Sequence, residues 1–502
     1  MSAIKRLAGQ TAIYGIPSIL GRILNYLLVP FYTRVFLPEA YGNVNVFYSY
    51  VAFLMVILTY GMETAFFRFY DKENDEEKER VFSTGMLSLL LTSTIFLVFV
   101  SWFAGPIASF IDYANYKIYV IWFAWILALD AISSIPFARL RAQNKAKKFA
   151  LIKMANIVVN ILLNFFFILF CPYIINNYSD SFIADAFRII YRADWGIEYI
   201  FISNLIASGL TVLLLFPEII TTKWKVHPGL WKKMLVYAFP LLFAGMAGIV
   251  NETFDRILLR YLLPKDIAAS QVGIYSACYK ISILMTIFIQ AYRYAAEPFF
   301  FAQAKEKDAK VTYARIMDYF IIVVSLIFLG TMVYLDDFIL RILIGPEYRE
   351  GRRVIPILML ANLFLGVYYN LSIWYKLVNK TIWGAWLAII GAVITLILNF
   401  LWIPLSTDYI ISGYMGSAWA TFICYAAMMV LSYIIGQRFF PIDYNLKKFF
   451  GYLGLSFVLY LISTVIMIDR LALSILFHTF LIIVFLGVAY LVEKPSLKTF
   501  IQ

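Results

Sequence analysis

Long runs of apolar residues, separated by short polar segments, dominate the chain. A helix needs about 20 mostly apolar residues to cross a hydrocarbon core of about 30 Å, and within lipid it satisfies its own backbone N–H and C=O groups. The pattern therefore predicts an all-α, polytopic membrane protein with about fourteen spans. The predicted spans are 10–35, 43–67, 82–103, 118–138, 149–171, 197–217, 234–255, 272–292, 316–335, 354–375, 382–404, 410–436, 449–468 and 471–491.

The amino-acid composition agrees with this interpretation. Of the 502 residues, 63% are hydrophobic and only 14% are charged, whereas soluble domains have about 45–50% and about 25%. Together with a mean hydropathy of +0.81, these values exclude a soluble globular domain, a disordered chain, collagen and a coiled coil. The first apolar run contains Arg22 and is too long for the apolar region of a cleaved signal peptide.

Lysine and arginine are distributed unequally between alternate loops. The loops on the side of the N-terminus contain 27 of these residues, and the opposite loops contain 11. Because cytoplasmic loops carry the excess of positive charge, both termini are predicted to be cytoplasmic. This bias also explains the net charge of +12, so we do not expect nucleic-acid binding.

Residue types used in most catalytic and metal sites are scarce. The chain has two histidines, and its three cysteines (Cys171, Cys278 and Cys424) lie far apart in apolar runs, which predicts neither a disulfide framework nor a metal site. No GxxxxGKS/T, HExxH or GxSxG motif occurs. We expect a protein that is not an enzyme and has no metal and no cofactor; the sequence leaves open whether H⁺ or Na⁺ serves as a coupling ion.

The first and seventh predicted spans share a sequence pattern. Corresponding positions are Tyr14 and Tyr237, Pro17 and Pro240, Arg34 and Arg260, Pro38 and Pro264, and Gly42 and Gly273. Either the matches arise by chance, or the chain contains two parallel repeats, since an even number of spans separates the copies. The repeat interpretation predicts an N-terminal lobe of six helices at 1–222, a C-terminal lobe of six at 223–440, and two extra helices at 441–502.

The first span carries a polar stripe with a charge in the middle. Gln10, Tyr14, Ser18, Arg22 and Asn25 are three or four residues apart, which places them on one helix face. A charge at mid-bilayer costs on the order of 2.5–3.5 kcal/mol. Arg22 therefore either lines a water-filled cavity or pairs with an acid on another span. We favour the cavity, with Arg22 and Asn25 as substrate-binding candidates, because the stripe contains no acid.

The fifth span has a similar stripe. Lys153, Asn156, Asn160 and Asn164 follow each other at spacings of three and four. Carboxamides offer both donors and acceptors, which suits sugar hydroxyls, but they also hold transmembrane helices together. Both interpretations stay open for Asn156 and Asn160, and Lys153 either binds substrate or extends to the membrane surface.

Further charges lie in the seventh and eighth spans. Lys280 is near mid-membrane and is the second candidate for a cavity cation. Glu252, Asp255 and Arg256 lie near the end of the seventh span. They are candidates for gating or coupling, although a structural pair between Glu252 and Arg256, one helical turn apart, is favoured. Deep cations in a wet cavity imply a visiting anion, and phosphate is a natural partner.

Four more polar residues are interpreted as structural. Glu63, Arg68 and Asp130 are expected to be interfacial charges or members of ion pairs. His478, in the last span, is expected to contact a neighbouring helix rather than bind a ligand.

Four segments resemble a known family: LAGQTAIYGIPSILGRILNYLLVPFYTRVFLPEAYG (7–42), YGMETAFFRFY (60–70), DRILLRYLLPKDIAASQVGIYSACYKI (255–281) and AEPFFF (296–301). They are similar to polysaccharide-biosynthesis flippases, which carry O-antigen or capsule repeat units and belong to the multidrug/oligosaccharidyl-lipid/polysaccharide exporter superfamily. The resemblance implies movement of an undecaprenyl-pyrophosphate-linked oligosaccharide across the bacterial inner membrane by alternating access. It places the pyrophosphate at Arg22 and the glycan at amides such as Asn156 and Asn160.

Two other classes of protein remain as alternatives. A cation-coupled multidrug antiporter of the same superfamily would share the fold, but it needs an acid in the cavity, and the first span has none. A membrane glycan polymerase or ligase would need chemistry in a large outer loop, and the predicted outer loops are short. A polysaccharide polymerase is the partner that the resemblance suggests, and a monomer is the default oligomeric state.

Overall fold

A computed structural model describes residues 24, 26–70, 75–220, 224–225, 227–304, 306–405, 412–466 and 468–501, without the side chains at 75, 298, 302 and 495–501. Within these residues the regular structure is helical and contains no strand. The α-helices are α1 (Leu28–Val35), α2 (Pro38–Thr59), α3 (Met62–Tyr70), α4 (Asp75–Trp102), α5 (Ala104–Phe110), α6 (Lys117–Ala142), α7 (Ala146–Phe165), α8 (Cys171–Asn177), α9 (Phe182–Ile190), α10 (Glu198–Ile220), α11 (Pro228–Leu262), α12 (Lys265–Gln303), α13 (Ala309–Val333), α14 (Leu340–Leu343), α15 (Val354–Leu371), α16 (Ile373–Leu377), α17 (Ile382–Trp402), α18 (Gly413–Phe439), α19 (Leu446–Val465) and α20 (Leu471–Ile501).

Thirteen helical segments of the described chain are long and apolar enough to cross a membrane. Each coincides with one of the predicted spans from 43–67 onward, which confirms the prediction of a polytopic, all-α membrane protein. Several helices extend beyond the predicted ends; α11, for example, begins before 234 and ends after 255. The apolar run marks only the part of a helix that lies in hydrocarbon, whereas its polar end turns keep the helical hydrogen bonds. Most of the first predicted span, 10–35, lies outside the described residues.

The chain divides into two compact units, one comprising Met1–Leu28 and Asn43–Ile257 and the other comprising Val29–Gly42 and Leu258–Gln502. In the first unit α6 packs against α4 and α10, and α10 also packs against α7. In the second, α15 packs against α12 and α18, and α13 packs against α19. The lobe boundaries derived from the sequence repeat stay a prediction.

A break between α2 and α3 sets the direction of α3. Tyr60 and Gly61 both have positive φ, at 35° and 73°, and the Tyr60 hydroxyl is 2.7 Å from the Ser88 hydroxyl on α4. Glycine adopts this left-handed backbone without steric cost. After the turn, Met62 and Phe66 are fully buried among residues of α4, α6 and α11, which fixes α3 and leaves the neighbouring Glu63 partly exposed.

The two glycines of the sequence repeat meet in the second unit. A Cβ atom on Gly42 would lie 1.8 Å from the carbonyl oxygen of Ala269, and one on Gly273 would lie 1.9 Å from that of Pro38. The two contacts are reciprocal, since each glycine is four residues after the carbonyl that the other would strike. Backbone contact between the start of α2 and the start of α12 therefore requires glycine at both positions.

Substitution of either glycine is expected to be costly. Gly42→Ala must push two helix backbones apart, and overpacking of this kind lowers the free energy of unfolding by about 1–3 kcal/mol. Gly105→Ala is the control, because a Cβ at Gly105 would meet nothing within 4 Å. We expect a lower midpoint of thermal unfolding in detergent for Gly42→Ala only; equal midpoints for the two variants would contradict the contact.

Candidate substrate cavity

A polar cavity of about 380 Å³ lies inside the first unit. Its lining includes two acids, two bases, two carboxamides and four hydroxyls. The lining residues are Met55, Glu63, Asp130, Ser133, Ser134, Phe137, Arg141, Phe149, Lys153, Asn156, Asn204, Ser208 and Thr211. A cavity with so many polar groups among membrane-spanning helices is expected to hold water or a polar ligand.

Helical periodicity brings these side chains together. Three helices provide most of the lining. Apart from the adjacent Ser133 and Ser134, the lining residues on each helix follow one another at three or four positions, so they share one face. These helices are α6 (from Asp130 to Arg141), α7 (from Phe149 to Asn156) and α10 (from Asn204 to Thr211). Met55 of α2 and Glu63 of α3 complete the wall.

Asp130 and Lys153 are the deepest charges of the cavity. Asp130 is near the middle of α6, about 18 Å from its C-terminal end at 1.5 Å per residue. Its carboxylate accepts a hydrogen bond from Ser208 and interacts electrostatically with Lys153. The ammonium group of Lys153 lies 4.3 Å from the centre of the Phe137 ring, in a cation–π contact.

A second pair of charges lies near the end of α6. Arg141 forms an ion pair with Glu63, and its guanidinium lies 4.8 Å from the centre of the Phe67 ring. Arg141 is eleven residues after Asp130 on the same helix, so these two residues are about 16 Å apart along the helix axis. Lys153 contacts Phe137, which lies between them in the sequence, and interacts electrostatically with both. The cavity therefore offers both signs of charge at two depths.

Two carboxamides lie in the cavity wall with hydrogen-bonding capacity left over. Asn156 donates to the Thr211 hydroxyl over 2.9 Å, and Asn204 donates to the Tyr48 hydroxyl over 2.9 Å. A carboxamide has two N–H donors and an acceptor oxygen with two lone pairs. Each therefore keeps a donor and an acceptor for a ligand.

Only some of the substrate-binding residues predicted from the sequence line the cavity. Lys153 and Asn156 line the cavity. Asn160 lies one turn further along α7 and accepts a hydrogen bond from the Asn164 side chain over 3.1 Å, outside the cavity wall. Arg22 and Asn25 lie outside the described residues. Lys280 is on α12 of the second unit, where it is partly exposed.

The charged group on α11 is paired differently from our prediction. Arg256 forms an ion pair with Asp255 over 2.9 Å, and both side chains are buried. Its contact with Glu252 is a 3.0 Å hydrogen bond to the backbone carbonyl, whereas the sequence predicted a pair with the Glu252 carboxylate. Adjacent residues on a helix diverge by 100°, whereas residues four apart, such as Glu252 and Arg256, lie on the same face. The Asp255 carboxylate nevertheless reaches the guanidinium of Arg256, and both side chains are buried.

Several cavity residues were missed in the sequence. We interpreted Glu63 and Asp130 as interfacial charges or ion-pair members, and Glu63 does form such a pair, but both also line the cavity. Asn204, Ser208 and Thr211 were not singled out, although their spacings of four and three form the same kind of stripe that we used for α7. His478 contacts a neighbouring segment, as expected: its Nδ1 atom is 2.6 Å from the Asp337 carboxylate.

Solved structures with the same fold include flippases and transporters. The inward closed conformation of the lipid II flippase MurJ superposes with a TM-score of 0.67 at 15% identity, covering 95% of this chain and 98% of that one. An inward-facing multidrug resistance MATE family transporter of the MOP superfamily gives 0.66 at 12% identity, covering 83% and 94%. The bent form of the Vibrio cholerae MATE transporter VcmN gives 0.55 at 12%, covering 90% and 100%. At these identities the likeness establishes the fold.

The sequence itself carries the family relationship. No curated protein is similar enough to count as a match. In contrast, the family model described as "Polysaccharide biosynthesis protein" matches residues 7–302, which is more than half of the 502-residue chain. The chain belongs to the polysaccharide biosynthesis protein family.

Proposed function

We propose that this protein is a flippase that moves an undecaprenyl-pyrophosphate-linked oligosaccharide across the bacterial inner membrane by alternating access. Family membership supports a role in polysaccharide biosynthesis, and the shared fold of a lipid II flippase supports lipid-linked cargo. In this proposal the chain is a transporter without catalytic residues, and the glycan is a surface-polysaccharide unit such as an O-antigen repeat.

The polar cavity of the first unit is the main structural support for this proposal. A glycan presents many hydroxyls, each of which needs a donor and an acceptor once it leaves water. Asn156 and Asn204 supply both kinds of group, and Ser133, Ser134 and Thr211 add hydroxyls. Such a surface compensates a sugar for lost hydration, which an apolar cavity could not do.

Cations are proposed to hold the pyrophosphate. Among the described residues Lys153 is the candidate, because it is an exposed residue that lines the cavity. Arg22 and Lys280 remain candidate cations from the sequence, and the carboxamide of Asn25 remains a candidate for substrate binding. Charge-assisted hydrogen bonds from such groups are stronger than neutral ones and suit phosphate oxygens. The buried pair of Asp255 and Arg256 is a candidate for coupling or gating, together with Glu252.

Topology and assembly complete the proposal. The excess of Lys and Arg in alternate loops favours cytoplasmic termini. The protein is proposed to act as a monomer, alone or beside a polysaccharide polymerase, in contact with membrane lipids.

Asp130 supports one alternative function, that of a cation-coupled antiporter. A cation-coupled antiporter needs an acid in its cavity. The first span has none, but Asp130 lines the cavity of the first unit. A partly buried carboxylate of this kind is what a transported cation or proton would bind. The specific alternative is a multidrug antiporter, because a multidrug resistance MATE family transporter shares the fold.

The variant Asp130→Asn separates the two functions. If the protein is a flippase, loss of this negative charge next to Lys153 does not weaken binding of a pyrophosphate, so movement of the lipid-linked glycan in proteoliposomes is expected to stay within about threefold of wild type. If it is a cation-coupled antiporter, the same change removes the cation site, and ion-driven export of a cationic dye would be lost. Ser134→Ala is the matched control, because it changes the same cavity wall without altering a charge.

A further inference from the structure

A short helix outside the spans has an unusually apolar exposed surface. Helix α9 lies in the connection between the spans that end at Asn177 and begin at Glu198. Four of its side chains are exposed: Phe182 by 86%, Ile189 by 85%, Ile183 by 56% and Ile190 by 54%. Side chains of this size are not expected to face water together.

The residues of α9 divide into three faces. At 100° per residue, the four exposed apolar side chains fall within an arc of about 120°. Asp185 and Arg188 lie on the next arc, where they form an exposed ion pair over 2.7 Å. The third face packs against the protein through Ala184, which is fully buried, and Phe187.

Contacts with the adjoining spans fix how α9 is turned. The Phe187 ring is 5.8 Å from that of Phe166 and 5.7 Å from that of Phe170, both in the span that precedes α9. After α9, the Tyr199 hydroxyl accepts a hydrogen bond from the Arg192 backbone N–H over 2.6 Å and donates to its carbonyl over 3.1 Å. These contacts hold the C-terminal half of α9 against the protein, and Ala184 is buried on the same side, so the apolar face points away from the protein.

We propose that α9 lies in the boundary between membrane and water and inserts its apolar face into the lipid. The preceding span already exposes Leu169 and Phe170 by 48% and 47%, and Phe170 touches α9, so the apolar face of α9 continues a surface that faces lipid. A helix with one apolar and one charged exposed face binds the interface in this way, with its apolar side about 5–10 Å deep. Asp185 and Arg188 then face water.

Aromatic residues beside α9 fit the same depth. Tyr173 and Tyr178 are 56% and 54% exposed, and Trp195 contacts Tyr199 with ring centres 5.5 Å apart. Tyrosine and tryptophan are enriched at membrane interfaces because they join an apolar ring to a polar group. The occupant is the bilayer itself, so this inference does not depend on the proposed transport function.

Fluorescence quenching tests the position of α9 directly. A polarity-sensitive dye is attached to Ile189→Cys and, in separate samples, to Phe182→Cys and to Asp185→Cys as the matched polar-face control. The three native cysteines are buried, and wild-type protein treated with the dye gives the background. Each labelled protein is reconstituted into vesicles of phosphatidylethanolamine and phosphatidylglycerol, with either a nitroxide on the lipid chain near the headgroup or iodide in the buffer.

The proposal expects opposite results for the two faces. Dyes at 189 and 182 should be quenched several-fold more by the nitroxide lipid than the dye at 185, and should emit at shorter wavelength. The dye at 185 should be quenched mainly by iodide. Quenching of all three by iodide would overturn the proposal, and so would protection of 189 and 182 from both quenchers, since a protein partner or a second copy would then cover the face. Labelled proteins that elute like wild type exclude misfolding as the cause.

Discussion

Lys153→Met is expected to reduce movement of a lipid-pyrophosphate oligosaccharide by about tenfold or more, because it removes a charge-assisted hydrogen bond worth about 1.5–3 kcal/mol. Methionine keeps most of the side-chain volume, and the contact with the Phe137 ring can persist through the sulfur atom. The loss should appear as a higher KM for the lipid-linked substrate in proteoliposomes.

Lys147→Met is the matched control for this variant. Lys147 is on the same helix, α7, but is exposed outside the cavity. It should transport like wild type. Equal activity of the Lys153 and Lys147 variants would remove Lys153 from the proposed phosphate site, whereas equal loss would point to a general effect of charge at the start of α7.

Replacing both cavity carboxamides, Asn156→Leu with Asn204→Leu, is the second change with a large expected effect. Each carboxamide is expected to contribute about 1 kcal/mol of hydrogen bonding to the glycan, so the double variant should raise KM by about tenfold or more. A lipid pyrophosphate with a single sugar should be much less affected, because it offers few hydroxyls to these groups. The ratio of the two KM values is the measurement.

Asn160→Leu is the comparison for the carboxamide variant. It lies one turn from Asn156 on α7 and outside the cavity wall, and its backbone carbonyl still accepts a hydrogen bond from Asn164 over 2.8 Å. We expect a KM close to that of wild type. A rise equal to that of the double variant would restore the role in glycan binding that the sequence suggested for Asn160. A rise in the double variant that is the same for long and short glycans would contradict a glycan role for Asn156 and Asn204.

The membrane-spanning helices were predictable because one strong physical requirement determines them. Lipid demands about 20 apolar residues per span, and the thirteen helical segments of the described chain coincide with predicted spans. Their ends were harder to place, since polar turns such as 228–233 continue α11 without any apolar signal. Helix α9 was missed altogether: nine residues are too few to register as a span, although their three-sided pattern is visible in the sequence.

The cavity was predictable only in part. The polar stripe on α7 identified Lys153 and Asn156, because a charge and carboxamides at helical spacing are costly in lipid. A stripe cannot show which of its members meets a cavity, and Asn160 differs from Asn156 only by one turn. Asp130 and Asn204 come from other helices, and their proximity to Lys153 depends on how α6, α7 and α10 pack, which no local pattern encodes.

Transbilayer movement in proteoliposomes tests whether this protein is a flippase. The purified protein is reconstituted with a fluorescent lipid-pyrophosphate oligosaccharide, and the fraction accessible to an external reagent is followed over time against protein-free vesicles. A flippase gives movement that depends on the protein, falls by about tenfold or more in Lys153→Met and is retained in Asp130→Asn. No movement of any lipid-linked glycan, together with ion-driven export of a cationic drug that Asp130→Asn abolishes, would contradict this function.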